Sequence, residues 1–457
     1  MIDIKTDSRK VKKGDTFIAI KNVKRDGHDY IEDAIKNGAS KIICEHGSYK
    51  VETMLVDNTR QYLEEYLYKN YYPKFKDIKV IGVTGTNGKT TTCYLVYQML
   101  NKLGIKSAYI GTIGFFCDGE YRELNNTTPD IDLLYEMFLE AKEKDCKYIV
   151  METSSHSLDM NRVYGLEFDE TAFTNLTPEH LDYHKTMNNY AKAKRILFER
   201  TRGKKIAVIN ADDKYYEKFV LDGNKNILYG KNGKDLKINS VALSHQVTSI
   251  SFNYKNKDYL VKTDMVGMFN VYNYLMAMLL VINAGISIDK VLSISEKITP
   301  PPGRMEKIKY GTRSIFIDYA HSPDAVENVL NTALELKTSK IITVIGCGGD
   351  RDATKRPVMG KLATKLSDYV IFTNDNPRTE NEKKIMKDIL EGPKKKNFEV
   401  IYDRKEAIKK AVSMLGDDDI LMILGKGHED YQIVGTEKKH FSDKEEALNA
   451  IKELNNG

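Results

Sequence analysis

The sequence predicts an α/β protein of three domains. Three observations carry that prediction. β-prone and helix-prone segments alternate from end to end, a glycine-rich turn joins an apolar run to a helical one at residues 85–91, and prolines interrupt the chain at Thr299-Pro300-Pro301-Pro302-Gly303. The length of 457 residues suits three domains at roughly 100 to 200 residues each.

Residues 1–75 read as a small N-terminal α/β domain. Residues 16–20 and 41–44 are short β-prone runs, separated by the helical stretch 30–38, and a tyrosine-rich stretch at 62–72 leads to Pro73. The central domain, 76–300, opens with the β-prone run 78–83, the glycine-rich turn and the helical pattern 90–103, the order of a strand, loop and helix in a βαβ unit. Runs at 148–151 and 206–209 read as buried strands with helical patterns between them, which favours a mainly parallel sheet covered by helices. No helix or central strand crosses three consecutive prolines, so a boundary is placed there. In residues 301–457, strands at 314–318, 341–345, 369–372 and 420–424 alternate with helices, giving a C-terminal Rossmann-like α/β domain.

With 41% hydrophobic and 30% charged residues and a mean hydropathy of -0.46, the composition is that of a soluble globular protein. No run approaches the ~18 to 20 apolar residues of a membrane span. The first nine residues carry charge where a secretory signal needs its apolar segment, so a cytoplasmic protein is expected. Five scattered cysteines, an odd number without a Cys-x-x-Cys pair, suggest reduced, buried thiols rather than disulfides or a zinc cluster. The net charge of +5 comes from 70 basic and 65 acidic residues, without the basic stripe that duplex binding uses, so no nucleic-acid partner is expected, while a small anionic ligand stays open.

Gly85-Thr86-Asn87-Gly88-Lys89-Thr90-Thr91 lies between a strand and a helix, where backbone N–H groups and the helix N-terminus can hold phosphates. Lys89 would reach the terminal phosphates and the Thr90 hydroxyl would ligate magnesium. A ligand-free βα turn is the competing reading, which lysine followed by threonine at this offset disfavours. Val83 stands where the generic pattern has its first glycine, so this is a shorter relative of that loop. The central domain thus reads as a P-loop ATPase domain.

This loop resembles the ATP loop of the Mur ligases, the cytoplasmic enzymes that add amino acids to UDP-N-acetylmuramic acid in peptidoglycan precursor synthesis. The resemblance recurs in Asp7-Ser8-Arg9, Asn126-Thr127-Thr128-Pro129-Asp130, Glu152-Thr153-Ser154-Ser155-His156, His180-Leu181-Asp182, Gly267-Met268-Phe269-Asn270-Val271-Tyr272-Asn273, Gly303-Arg304-Met305-Glu306 and Asp318-Tyr319-Ala320-His321. The blocks Gly348-Gly349-Asp350-Arg351-Asp352, Asp375-Asn376-Pro377-Arg378 and Gly425-Lys426-Gly427-His428-Glu429-Asp430 most resemble the member that adds the third residue of the peptide stem.

The resemblance implies an ATP-dependent ligase that forms a carbon–nitrogen bond through an acyl phosphate. Carboxylate and triphosphate repel, so cations must bring them together. The implied catalytic residues are Lys89, Glu152, His180 and Lys194. Thr90 and Glu152 would hold one Mg2+, and His180, with Lys194 carbamylated by carbon dioxide, would serve a second. For Lys194 the competing reading is a solvated lysine on an amphipathic helix, reversed only by the match of surrounding spacing. His156 and His184 are read as structural, hydrogen-bonded histidines. ATP would be held by Gly85, Thr86, Asn87, Gly88, Lys89, Thr90, Thr91, Asn270, Asn273, Arg304 and Asp318, with a helix cap as the competing role for Asn270. Because Arg304 and Asp318 lie beyond the proline boundary, the resemblance suggests that closure of the third domain completes the site.

By the same resemblance, Ser8, Asn126, Thr127, Thr128, Ser154 and Arg162 would contact UDP-N-acetylmuramoyl-L-alanyl-D-glutamate. The family's glycine-rich bend near the uridine is replaced here by residues 21–27, and Met160 is given no role. For the incoming amino acid, Arg378 can fork onto a carboxylate at the far end of the side chain, which meso-diaminopimelate has and lysine lacks. Arg351 would be a second anion contact, Asn376 and Pro377 would stand with Arg378 at the amino-acid substrate, and Asp375, Glu429 and the Gly425 carbonyl would hold ammonium groups. An Asx-type turn ahead of Pro377 is also expected for Asp375 and Asn376, compatible with that role, and a surface salt bridge is the competing reading for Arg378. meso-Diaminopimelate is therefore the expected acceptor, with lanthionine, a lysine-adding ligase, a folylpolyglutamate-type ligase and a non-catalytic nucleotide-binding relative as alternatives. The retained Lys89, Glu152, His180 and Lys194 argue against the last. A monomer is expected.

Overall fold

The computed structural model of the chain describes residues 2–21 and 25–456. Residues 22–24, part of the 21–27 sequence that stands in place of the family's glycine-rich bend, lie outside the described residues. The chain packs into two compact units, Met1–Leu228 with Leu279–Ala284, and Tyr229–Met278 with Gly285–Gly457.

In the first unit, β1 (Ile4–Lys5), β2 (Thr16–Ile18), β3 (Lys41–Cys44) and β4 (Glu52–Leu55) pair in that order, all parallel. The tyrosine-rich stretch is mostly helix, Thr59–Asn70, capped by Asn58, whose side chain accepts from the Gln61 amide. The Tyr66 and Tyr71 hydroxyls then donate to Asp3, tying that region back to the N-terminal strand.

The rest of this unit is built on β5 (Lys79–Thr84), β6 (Ser107–Gly111), β7 (Gly114–Cys117), β8 (Glu120–Arg122), β9 (Tyr148–Glu152), β10 (Phe168–Phe173) and β11 (Thr201–Asn210), in the order β11-β10-β5-β9-β6-β7-β8. Pairing from β11 to β6 is parallel, and β7 and β8 add antiparallel strands at the edge. Val80, Ile81, Val83, Ile149, Val150 and Met151 are all buried, as in a parallel sheet covered on both faces. The chain enters at β5 and later places β9 on one side of it and β10 on the other, a switch of direction that opens a crevice at the carboxyl ends of the strands. Loop 85–88, Glu152 and Thr174 all lie at that edge.

The second unit opens within β12 (Lys225–Gly230), whose last two residues, Tyr229 and Gly230, pair with β13 (Leu236–Ala242), and β13, β14 (Thr248–Tyr254) and β15 (Lys257–Thr263) form an antiparallel meander. After the proline cluster come β16 (Glu306–Tyr310), β17 (Arg313–Asp318), β18 (Ile341–Ile345), β19 (Tyr369–Phe372), β20 (Phe398–Val400) and β21 (Ile420–Leu424), in the order β16-β17-β21-β18-β19-β20 and parallel except at β16. Phe316, Val370 and Met422 belong to one apolar layer, and Ile317, Val344 and Ile423 to the other. The carboxyl ends of β17, β21, β18 and β19 deliver Asp318, Gly425, the 346–351 turn and the 373–378 turn to one edge. A hairpin, β22 (Tyr431–Val434) with β23 (Glu437–His440), follows.

All five cysteines are buried free thiols, as expected. Among the described residues no helix is long and apolar enough to cross a membrane.

Candidate active site

Beyond β5 the chain turns through Gly85-Thr86-Asn87-Gly88 into the helix Lys89–Lys102. Gly85 has a φ of 149°, and a Cβ there would lie 1.8 Å from the Thr174 hydroxyl, so only glycine fits. Thr174 donates to the Asn87 carbonyl (2.6 Å), and Asn175 accepts from the Thr86 amide through its carbonyl (2.8 Å) and from the Asn87 amide through its side chain (3.0 Å). The segment after β10 thus braces the loop. The first amides of the helix, which lack intrahelical partners, lie at the edge of the sheet as an anion site. Lys89 Nζ donates to the Gly85 and Thr86 carbonyls at 2.9 and 2.7 Å.

Glu152, the last residue of β9, is fully buried. Its Oε1 accepts from the Tyr109 hydroxyl (2.6 Å) and the Thr112 amide (2.8 Å), and its Oε2 from the hydroxyls of Thr90 (2.9 Å) and Thr112 (3.2 Å). These bonds offset the cost of burying a carboxyl group. Burial, and next the Glu152 charge, push the Tyr109 hydroxyl well above its ordinary range, so it stays a donor. Thr90 and Glu152 together present hard oxygens that fit magnesium. Among the described residues no group of three or more His, Cys, Asp or Glu is placed to enclose a metal, so an ion here would take its remaining ligands from phosphate and water, as magnesium does.

Lys194 lies on the helix Met187–Glu199, capped by the Thr186 side chain. The solvated-lysine reading does not hold, because the residue is 1% exposed. Its Nζ donates to the Gly85 carbonyl at 2.7 Å and stands 4.5 Å from the Tyr190 ring centroid. Burial, and next the charge of Lys89, push this amine well below the usual lysine range.

His180 has a φ of 54°, a strained backbone state for a residue of this type, and lies 3.7 Å from Glu179 with its ring 4.8 Å from that of His156. The structure brings Thr90 to Glu152 and Lys194 to the loop. It places His180 in no hydrogen bond or ion pair with these among the described residues. His184 is buried with Nε2 2.9 Å from the Ser155 hydroxyl, His156 packs its ring 4.5 Å from that of Tyr183, and burial lowers the pKa of both.

Thr128 and Ser154 meet beside Glu152: the Thr128 hydroxyl donates to the Glu152 carbonyl (2.8 Å) and accepts from the Ser154 amide (3.1 Å). Arg162 donates to the Thr128 carbonyl (3.2 Å) and pairs with Asp130 (3.2 Å), and the hydroxyls of Thr127 and Thr112 are 3.0 Å apart. Asn126 is exposed. Ser8 lines a cavity of about 540 Å³ with Thr6, Asp7, Arg9, Arg25 and Arg60 among its walls. Arg60 gave no signal in the sequence, since only the fold brings the helix Thr59–Asn70 to this cavity.

In the second unit Asn270 and Asn273 are buried, and the Asn273 amide donates to Asn270 Oδ1 at 3.2 Å. Asn270 Nδ2 donates to the Val266 carbonyl (2.9 Å), the opposite of a capping side chain's role. Asp318 accepts from the Met305 and Ala320 amides at 2.8 and 2.9 Å, and burial raises its pKa. The Arg304 guanidinium stands 5.5 Å from the Tyr319 ring centroid.

Asp375, Asn376 and Pro377 are buried in the turn after β19. Asn376 makes no Asx turn. Its amide donates to Glu429 (2.9 Å), and its oxygen accepts from Lys426 Nζ (3.1 Å) and the Ile433 amide (2.9 Å). Gly425, at a φ of 117°, approaches so closely that a Cβ would meet Asp375 Oδ2 at 2.5 Å. Arg378 is no surface salt bridge either: its Nη1 donates to the Gly349 carbonyl at 2.8 Å. Arg351 is exposed on the facing turn. Lys426, fully buried and 3.3 Å from Glu429, was given no role by the sequence although it stands inside a quoted motif. Arg404 was also missed. It is buried, forks onto Asp443 (2.7 and 2.7 Å), and donates to the carbonyls of Leu424 (3.0 Å) and Asn374 (3.4 Å), bracing both turns.

Family models match the chain in three blocks: Mur ligase family, catalytic domain, over residues 3–72; Mur ligase middle domain over 83–281; and Mur ligase, glutamate ligase domain, over 303–427. A curated protein of Clostridium acetobutylicum, UDP-N-acetylmuramoyl-L-alanyl-D-glutamate--2,6-diaminopimelate ligase 1, is 43% identical over 98% of this chain and 94% of its own length. The chain belongs to the Mur ligase family. Another member, from Aquifex aeolicus and named as the same kind of diaminopimelate ligase, is 42% identical to this Mur ligase over 96% of the chain and 91% of its own. The solved structure of such a ligase superposes with a TM-score of 0.74 at 31% identity, covering 99% of this chain and 95% of that one. The MurF ligase of Thermotoga maritima, crystallised with ADP, shares the fold at a TM-score of 0.66 and 20% identity, covering 99% and 98%.

Proposed function

We propose that this Mur ligase joins meso-2,6-diaminopimelate to the D-glutamate carboxylate of UDP-N-acetylmuramoyl-L-alanyl-D-glutamate, with ATP converted to ADP and phosphate, in the cytoplasmic synthesis of peptidoglycan precursor. Three domains, 1–75, 76–300 and 301–457, acting as a monomer, belong to this reading. The observation that carries it is the placing of Arg351 and Arg378 on facing turns beside Asp375 and Glu429, in a chain 43% identical to a diaminopimelate ligase. A guanidinium fork suits a carboxylate and the acidic side chains suit ammonium, the two ends that diaminopimelate offers.

The loop amides and Lys89 hold the ATP phosphates, with Asn270, Asn273, Arg304 and Asp318 serving the nucleotide. Lys89 exchanges its loop carbonyls for phosphate oxygens, which offsets the anionic repulsion as the substrate carboxylate attacks the γ-phosphorus. Bound through Thr90 and Glu152, magnesium would neutralise phosphate charge. The neutral amine of Lys194 can take up carbon dioxide, forming an N–C bond and losing a proton, to become a carbamate that serves the second cation together with His180. Thr128, Ser154 and Arg162 orient the muramoyl dipeptide, and Ser8 lies where the uridine end would rest. The acceptor amine then displaces phosphate from the acyl phosphate.

The test is phosphate release by the purified protein, omitting each substrate in turn. Release that needs ATP, the UDP-muramoyl dipeptide and meso-diaminopimelate together is expected. Release that ignores the dipeptide would overturn the proposal.

A further inference from the structure

Arg356 is 0% exposed, on the first turn of the helix Lys355–Leu366, and no substrate can reach it. Its guanidinium forks onto Glu380, Nη1 to Oε1 at 2.8 Å and Nη2 to Oε2 at 2.6 Å. Nη1 also donates to Asp388 (2.8 Å) and Nη2 to the Gly348 carbonyl (3.3 Å). Two carboxylates therefore compensate this buried cation, and Asp388 is the one that lies away from the turns, on the helix Glu382–Leu390.

Glu380 makes the link. It accepts from the Asp350 amide at 3.0 Å while its own amide donates to the Pro377 carbonyl at 3.2 Å. Asp350, at a φ of 55°, accepts from both the amide (3.0 Å) and hydroxyl (2.9 Å) of Thr379. The Gly349 amide donates to the Asn376 carbonyl (2.9 Å), and the Gly349 carbonyl receives Arg378 Nη1 (2.8 Å). Arg378 itself sits at a φ of 52°, a costly state that only surrounding contacts maintain. The turn bearing Arg351 and the turn bearing Arg378 are thus joined by direct hydrogen bonds and, through Glu380 and Arg356, by a buried ion pair that neither motif advertises.

We infer that Arg356 and Glu380 are a positioning pair which fixes the spacing of the Arg351 and Arg378 turns, and so sets the preference for an acceptor with a distal carboxylate. This inference rests on the proposed function and adds to it the device that aims Arg378. Arg356 touches no substrate and acts only through the turns.

Glu380→Gln keeps the shape of the pair and removes its charge. Asp388→Asn takes the same charge from Arg356 without touching either turn. With the full-length enzyme, E380Q is expected to raise KM for meso-diaminopimelate by roughly tenfold, the scale of one charged hydrogen bond, with KM for ATP and for the UDP-muramoyl dipeptide unchanged. D388N is expected to leave all three KM values within about twofold even where it lowers the melting temperature. Equal KM increases in E380Q and D388N, or a rise in KM for ATP as large as that for the acceptor, would show a merely structural role and overturn the inference. Should E380Q fail to fold, Asp350→Gly, which removes the acceptor of both Thr379 bonds at a φ that glycine tolerates, loosens the same two turns from outside the pair and carries the same expectation. The wild-type arm separates the two claims: diaminopimelate turnover with unchanged E380Q kinetics sinks the pair alone, whereas a wild type that takes L-lysine instead sinks the proposed function and the pair with it.

Discussion

Lys194 holds its amine 2.7 Å from the carbonyl oxygen of Gly85, in the glycine-rich loop and away from solvent. A buried lysine beside a second cation is neutral far more readily than a solvated one, and neutrality is what reaction with carbon dioxide requires. Lys194→Ala should lower kcat by about 100-fold or more, the scale of lost electrostatic support for a charged transition state. Isotope-labelled bicarbonate should leave a carbamate resonance in the wild-type NMR spectrum that the variant lacks. Its absence from active wild-type enzyme would refute the modification.

Thr90 and Glu152 share a hydrogen bond that a bound cation would replace. Glu152→Gln keeps the volume and loses the charge, so activity should fall by about 100-fold and the magnesium concentration for half-maximal rate should rise. An unchanged magnesium dependence would argue against this residue as a ligand.

Gly85→Ala places a methyl group against the Thr174 hydroxyl at a φ that alanine resists. A loss of roughly 1–3 kcal/mol in stability and a raised KM for ATP are expected, read by urea unfolding and steady-state kinetics. A variant with wild-type KM would mean that the loop can relax.

Glu380 is held down to about 2 by the hydrogen bond from Arg356, from an ordinary value near 4.5. A depressed carboxylate contributes stability that is complete above the unfolded value and is lost as pH falls through the folded one. Between about pH 4.5 and 2 the wild type should therefore lose stability faster than E380Q, whose curve lacks this component. Parallel acid-unfolding curves would contradict the pairing.

Arg404 and Asp443 form a buried pair 39 residues apart in sequence. Asp443→Asn strands the guanidinium, and a cost of about 3–5 kcal/mol is expected in urea unfolding. A cost below about 1 kcal/mol would mean that the pair is not what braces the turns.

Much of this was legible in the sequence where a residue's neighbours in space are its neighbours in the chain. Strands 341–345, 369–372 and 420–424 were read to the residue because they are apolar on both faces, which leaves an unbroken run. β11 was read only at 206–209 and in fact starts at Thr201, since its first half is exposed and polar. Among site residues, Lys89 and Thr90 stood out because phosphate chemistry demands them at fixed offsets. Tyr109, Thr112, Arg356, Lys426 and Arg404 did not, because each acts through a partner or turn that only folding brings to it. The Asx turn expected at Asn376 gave way for the same reason: Lys426 and the Ile433 amide take its side-chain oxygen, and the Arg378 amide bonds the Ile433 carbonyl instead.

The most direct measurement is a competition in one vessel, with equal meso-diaminopimelate and L-lysine, ATP, magnesium and UDP-N-acetylmuramoyl-L-alanyl-D-glutamate, read by product mass. A diaminopimelate tripeptide in at least about 100-fold excess is the predicted result, because lysine offers no distal carboxylate to the remaining donors of Arg378, a loss on the scale of about 3 kcal/mol. A lysine tripeptide in equal or greater amount would contradict the reading of Arg378 on which the acceptor assignment stands.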